Sequence, residues 1–293
     1  MMSIFNSLYH HMPDKVKRVI RLYSYSYNDV AGGGKTLFRD RIQRVMKEFL
    51  PNGDKNWKRI EKDIKKCWLK YGSSPEEYFL FDFKNLNEKG RSLFITDYVK
   101  DMKLKKRIGL DKFQKDLLDK YNFYCLTKPF FNRNAMSFNQ GTSKRDFVEF
   151  AKETKNLFIK PISKSRGRGA HKITIDNEDD ALNEYNYLVG SDVEWIVEET
   201  IVQSMEMEKW NPTSVNTIRV PSFLNRSGFS IVGPVLRSGR RGAIVDNAAA
   251  GGIVASVDVN SGVIISDGVD ERGNTFAKHP DSNIPFKGTV IQD

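Results

Sequence analysis

From about residue 155 onward the chain breaks into short β-rich runs: LFIKPI (157–162), KITI (172–175), EWIVEETI (194–201), NTIRVPSFL (216–224), FSIVGPVLRS (229–238), GGIVASVDV (251–259) and SGVIIS (261–266). Gly, Asn, Asp and Ser lie between most of them, and Asn260-Ser261-Gly262 reads as a hairpin turn. One helix candidate, DDALNEYNYLV (179–189), separates two of the runs. The pattern predicts an α+β arrangement built from antiparallel hairpins. It argues against alternating βαβ units and hence against a dinucleotide-binding sheet.

The first half reads differently. LFRDRIQRVMKEFL places Leu37, Ile42, Val45, Met46 and Leu50 near one helical stripe, and Pro51-Asn52-Gly53 stops it. NWKRIEKDIKKCWLKYG does the same with Trp57, Ile60, Ile64, Trp68 and Tyr71, ending at Gly72. Ser74-Pro75-Glu76-Glu77 has the form of a helix start, with Ser as cap and Pro in the first turn. Residues 1–110 are therefore expected to form a helical, basic N-terminal domain. Residues 1–125 hold 27 Lys and Arg against 16 Asp and Glu, a net +11 within a whole-chain charge of +10. That surface suits an anionic membrane, a phosphorylated precursor or nucleic acid, or it is simply a solvated helical face. Nucleic acid is disfavoured, because neither zinc-ligand spacing nor an RRM-like aromatic motif occurs.

A hydrophobic content of 39% with 12% aromatics is that of a globular chain. No apolar run approaches the roughly 20 residues of a membrane-spanning helix, and the N-terminus lacks the zones of a secretory signal. Cys67 and Cys125 sit in unrelated contexts. Free thiols in a reducing compartment follow, so a cytoplasmic location without an integral membrane segment is expected.

Two stretches invite a phosphate-binding reading. AGGGKT (31–36) ends like a P-loop, but Asp29 stands where the first Gly is required and the preceding SYSYN is no buried strand. A turn before a helix accounts for it better. LFIKPISKSRGRGAHKI (157–173) is more informative. Lys160 is an ammonium in an apolar strand and needs an anionic partner. The loop Ser163, Lys164, Ser165, Arg166, Gly167, Arg168, Gly169 adds positive charge and two glycines that let backbone N–H groups approach an anion. A polyphosphate meets both needs, while a plain basic hairpin with Lys160 snorkelling remains the alternative. Further on, the strand Trp195–Thr200 runs into Glu198 and Glu199, as at a hinge whose backbone reads a purine edge, or as an edge strand with solvated carboxylates. Arg219 lies in a strand otherwise fit for burial, where a guanidinium meets carboxylate or phosphate. Val245–Gly252 is small and polar, suited to approaching a ligand or to turning between strands.

Taken in order, FIKPISKSRGRG, IVEETI, NPTSVNTIRV, VLRSGRRGAIVDNAAAGGI and HPDSNIPFKG, over roughly 119–288, resemble the ATP-grasp superfamily. The branch is the sugar-transfer-associated ATP-grasp family, related to the alpha-L-glutamate ligases. SPEEYFLFDF (74–83) and LDKYNFY (118–124) are similar to its N-terminal part. The resemblance implies an ATP-grasp fold, two α+β subdomains gripping ATP between antiparallel sheets, over 111–293. It implies that Lys120 and Lys160 contact the α- and β-phosphates and that the loop 163–169 closes over them. Glu198, Glu199 and Ile201 would line the adenine edge, mostly through backbone atoms, and Glu206 would take the ribose. Arg219 and Arg237 would face the γ-phosphate or acyl-phosphate oxygens. Asn247, with Asn216, Asp246, Gly251 and Gly252, would sit by the substrates.

The implied reaction is carboxylate–amine ligation. A carboxylate attacks the γ-phosphate of ATP, and an amine captures the acyl phosphate. The substrates would be small or saccharide-linked carboxylates and amines in cell-surface polysaccharide or capsule precursor synthesis. His171 and His279 are read as structural. The family's Mg²⁺ is held by an Asp and a Glu-x-Asn from a later strand pair, before which this sequence stops at Val290-Ile291-Gln292-Asp293, so the ATP-grasp domain is expected to be incomplete at its C-terminus. Metal ligands are therefore unassigned, with Asp246 the one acid in that neighbourhood. A catalytically impaired nucleotide-binding scaffold and an ATP-grasp phosphotransferase acting on a sugar or polyol are the alternatives.

Overall fold

Amphipathic stripes build the first part of the chain. In α2 (Phe38–Phe49), Phe38, Ile42, Val45 and Met46 are buried, and in α3 (Trp57–Tyr71), Ile60, Ile64, Cys67 and Trp68 are. They converge with Tyr78, Phe83 and Tyr98 into one core, in which each fully buried aliphatic side chain contributes about 1.5–3 kcal/mol. Trp57, expected on the stripe, is 44% exposed at the start of α3. Gly72 ends α3 in the left-handed region (φ 70°), its N–H donating to the Trp68 carbonyl. A Cβ there would lie 2.8 Å from the Tyr98 ring. The next helix, α4 (Pro75–Leu80), opens with a reciprocal cap in which Ser74 Oγ accepts from the Glu77 N–H and the Glu77 carboxylate accepts from the Ser74 N–H. Helix α1 (Asp14–Tyr23) precedes these.

This computed structural model describes residues 12–23, 25–27, 35–104, 107, 117–164 and 167–291. The chain divides into two compact units, Met1–Lys112 and Phe113–Asp293. The first is mainly helical but includes a hairpin that the sequence reading did not anticipate, β1 (Tyr25–Tyr27) paired antiparallel with β2 (Lys35–Leu37). Lys35 and Thr36 thus lie on a strand, whereas a P-loop would put them at the start of a helix. Residues 31–34 lie outside those described.

The second unit is the α+β part. Its first sheet has the order β3-β6-β4-β5, all antiparallel: β3 (Ala135–Phe138), β4 (Asn156–Pro161), β5 (His171–Thr174) and β6 (Trp195–Glu199). Helices α6 (Lys144–Thr154) and α7 (Glu178–Val189) cover one face, following α5 (Lys120–Thr127) in the chain. Both covering helices carry side-chain N-caps, from Ser143 and Asn177. Alternation does the rest. Leu157, Ile159, Trp195 and Val197 enter the core under the helices, which leaves Phe158, Lys160, Ile196 and Glu198 on the opposite face.

The second sheet has the order β13-β12-β11-β10-β7, with β7 (Thr217–Arg219), β10 (Val235–Ser238), β11 (Ile253–Ser256), β12 (Gly268–Val269) and β13 (Thr275–Phe276). Its core gathers Trp210, Leu236, Ile253, Ala255, Ile264 and Phe286. The long apolar runs at 216–224 and 229–238 each divide, at Pro221 and at Gly233-Pro234. Between them β8 (Ser222–Asn225) and β9 (Gly228–Ile231) form a separate hairpin with every residue exposed. The run 261–266 carries isolated bridges in place of an extended strand, Val257 with Ile264 and Val263 with Val290, and further main-chain hydrogen bonds tie it to Ser256, Asp258 and residues 288–291. The turn at 260–262 is present, with the Asp258 carboxylate accepting from the Asn260 and Ser261 N–H groups. Among the described residues no helix is long and apolar enough to cross a membrane.

Candidate functional site

On the face of the first sheet opposite α6 and α7, where Tyr124 of α5 packs on Ile196, Lys160 of β4 pairs by backbone with Ile196, so Glu198 of β6 stands diagonally across from it. The two side chains form an ion pair, and Glu198 also accepts from Arg133 Nη2 at 3.0 Å. The Glu198 side chain is only 5% exposed and Lys160 25%. Removing a carboxylate this far from water costs several kcal/mol, which two cations and their hydrogen bonds offset. The Lys160 ammonium also lies 5.5 Å from the Phe158 ring centre.

Beyond Pro161 the chain leaves the sheet into the loop predicted to hold phosphates. Ser163, Lys164, Gly167 and Arg168 line a cavity of about 750 Å³ together with Lys120, Lys160 and Asn247. Ser165 and Arg166 lie outside the described residues. Gly167 has φ 71° and its missing Cβ would meet Val245 at 2.9 Å, so only glycine fits this close approach. Gly169 has φ 76° and turns the chain back over Pro161. Lys120, one residue into α5, reaches the same wall. Its ammonium donates to the carbonyls of Pro161 (2.8 Å), Ile162 (2.5 Å) and Lys164 (2.6 Å). Burial lowers its pKa, and the charge on Lys160 acts in the same direction. The sequence reading assigned this ammonium to phosphate. Here all three of its N–H groups bond to main chain.

A smaller cavity of about 180 Å³ shares Phe158, Lys160, Val245 and Asn247 with the first and extends to Glu199, Thr200 and Ile201. Glu198 and Glu199 both line this cavity, but from within the sheet. Strand β6 is central, the Glu199 and Thr200 N–H groups donate to Asn134 and Asn156, and the Glu198 side chain is a counter-ion. Main chain offered to a ligand therefore begins beyond Thr200, at Ile201.

The facing wall comes from the second sheet. Arg237 on β10 donates to Asp246 Oδ1 at 2.6 Å, and Thr217 Oγ1 donates to Oδ2. Burial lowers the Arg237 pKa against the pull of Asp246. Asn247 lines both cavities, and its carbonyl accepts from the Ala250 and Gly252 N–H groups. A Cβ on Gly252 would fall 2.5 Å from the Asp246 carbonyl, and Gly251 turns with φ 89°. The segment 246–252 is thus folded tightly upon itself.

Of the expected residues, Gly169, Glu206, Asn216, Arg219, Arg237, Gly251 and Gly252 line neither cavity. Glu206 lies on the short helix α8 (Met205–Glu208), exposed and paired with Lys209, and lines neither cavity. Arg219 is exposed because β7 is an edge strand, where burial was expected. Asn216 is buried, but its amide is fully occupied. Nδ2 donates to Gln203, Met207 and Asn211, and Oδ1 accepts from Ser238 and Gly239. It braces the loop from 203 to 216 and offers nothing to a substrate. His279 does similar work. Its Nε2 lies 3.1 Å from the Gly239 carbonyl, Nδ1 accepts from two N–H groups, and burial lowers its pKa. His171 bonds Glu184 at 2.8 Å, which raises its pKa.

The Mg²⁺ expected beside ATP finds no ready donor set. The oxygens of Glu198 and Asp246 face Arg133, Lys160, Arg237 and Thr217, and no group of three metal-ligating side chains occurs among the described residues. These residues do not fit a protein-held metal, and no step is assigned to one. Sequence reasoning missed Arg133, Phe158, Thr217 and Val245. The signal for Arg133 was its place just before AMSF, a strand that had gone unnoticed.

A family model described as "Sugar-transfer associated ATP-grasp" matches residues 117–292, more than half of the chain. No curated protein matches. Among solved structures, D-alanyl-alanine synthetase A from Vibrio cholerae O1 biovar eltor str. N16961 is similar at 15% identity and a TM-score of 0.32. The alignment covers 43% of this chain and 34% of that one, so this chain spans about a third of that protein's length.

Proposed function

The chain belongs to the sugar-transfer-associated ATP-grasp family, and on that premise we propose that it is an ATP-dependent ligase joining a carboxylate to an amine through an acyl phosphate. The observation that carries this reading is the pair of joined cavities. The wider is walled by Lys160, Lys164, Arg168 and the Gly167 turn, and the narrower by Phe158, Val245 and the chain end at Ile201. A triphosphate suits the first and a flat base the second. In the reaction, a substrate carboxylate oxygen attacks the γ-phosphorus and ADP leaves. The amine then displaces phosphate from the acyl carbon and loses a proton. Lys160 and the loop neutralise developing charge, Arg237 holds Asp246 at the cleft's edge, and Asn247 borders the acceptor. The family's association with sugar transfer directs the proposal to a precursor of cell-surface polysaccharide.

Titration calorimetry of the full chain with ADP and with a non-hydrolysable ATP analogue tests the reading. Saturable binding that is lost in Lys160→Met is expected, and an absence of nucleotide binding by the unaltered chain would end the proposal. One observation favours a second reading, a nucleotide-binding scaffold without turnover: Glu198 and Asp246, which line the narrower cavity, are both committed to cations. Binding without ADP release across a panel of carboxylic acids and amines would select it.

A further inference from the structure

A second cavity, of about 650 Å³, lies on the other side of the segment that borders the cleft. Asn247 lines the cleft, and Ala248–Gly251 line this second space, together with Arg240, Arg241, Arg272 and Phe276. Arg240 is its notable member. Its side chain is 13% exposed and its guanidinium lies over the Phe276 ring at 5.2 Å, yet Nε is buried without a hydrogen-bond partner. The nearest carboxylate, Asp281, is 3.9 Å from Nε and accepts from the Arg241 N–H. Buried guanidinium N–H groups are nearly always paired, because an unpaired one forfeits its hydration. Two acids also line the space, Asp270 and Glu271. Asp270 is occupied by its own turn, accepting from the N–H groups of Arg272 and Asn274 and from the Asn274 amide.

We propose that this cavity is an oxyanion site, in which Arg240 receives a carboxylate or phosphate group of the second substrate while Ala248–Ala250 form its apolar floor. The planar fork of Arg240, positioned over the Phe276 ring, suits two parallel N–H···O bonds. The identification of the anion as part of a substrate rests on the ligase reading. The anion site itself does not.

The test is a thermal-unfolding titration of the full chain with inorganic phosphate and, separately, succinate, at constant ionic strength, with and without saturating ADP. A ligand that binds only the folded state raises the melting temperature, by an amount that grows with the logarithm of its concentration over Kd. One of the two anions is expected to stabilise the protein also in the presence of ADP, and the preferred anion identifies the group. Arg240→Gln is expected to weaken that anion about tenfold, the loss of one charge-assisted pair, while Lys160→Met leaves it unchanged. If Arg240→Gln does not fold, the exposed double variant Arg241→Gln/Arg272→Gln is expected to weaken the same anion. No stabilisation by either anion, or an effect abolished by Lys160→Met or by ADP and not by the arginine variants, would overturn the proposal. Failure of the ligase reading registers separately, as absence of ADP binding.

Discussion

Lys160 and Glu198 face each other diagonally across two antiparallel strands, on the sheet face opposite α6 and α7, and form an ion pair. Lys160 therefore has an anionic partner before any nucleotide arrives. Replacing it by Met removes the cation that lines both cavities. Nucleotide affinity is expected to fall about ten- to a hundredfold, the equivalent of ~1.5–3 kcal/mol for a charge-assisted contact. Titration calorimetry measures this, with circular dichroism as the check on folding.

Glu198→Ala leaves Arg133 and Lys160 facing each other without their shared counter-ion. Breaking a buried pair in this way costs about 3–5 kcal/mol. The urea midpoint is expected to drop accordingly with an unchanged slope. A midpoint equal to that of the unaltered protein would show that the pair contributes no net stability.

Gly252→Ala places a methyl group 2.5 Å from the Asp246 carbonyl and 2.9 Å from those of Asn247 and Ser238. Backbone on three sides cannot yield as a side chain would. A loss of about 1–3 kcal/mol is expected, with weakened nucleotide binding because Asn247 moves with the segment. Gly53→Ala, with open space but φ 73°, carries backbone strain without a clash and so separates the two costs.

The two histidines of the second unit impose opposite pH dependences. The Glu184 hydrogen bond raises His171 above its ordinary 6.5, so this side chain contributes fully below pH 6.5 and its contribution is lost as pH rises through its folded value. Burial lowers His279 below 6.5, so its contribution is present above pH 6.5 and is lost as pH falls through its folded value. Unfolding free energy is expected to peak near pH 6.5 from these two groups. His171→Gln flattens the alkaline side only, and urea titrations across pH 5–8 read this directly.

Much of the second unit was legible because alternation is a two-residue signal. Leu157 and Ile159, and Trp195 and Val197, mark the buried face, and Lys160 and Glu198 stand out as charges on otherwise apolar strands. What the chain could not reveal locally was who sits opposite whom. Arg219 looks fit for burial until β7 proves to have a neighbour on one side only. Asn216 looks like a ligand-facing amide, since a satisfied buried amide and an unsatisfied one are the same letters. Glu198 and Glu199 suggested a main-chain hinge because the acids end an apolar run, but β3, too short and mixed to notice, occupies that edge. Arg133 went unseen for the same reason.

An ammonium has three hydrogens, and in Lys120 each is directed at a carbonyl of residues 161–164. It fastens the start of the 163–169 loop to helix α5 like a buckle. For Lys120 to touch a nucleotide it must let that stretch go, so arrival of ligand and release of the loop's root would be one exchange, three dipoles given up for an anion.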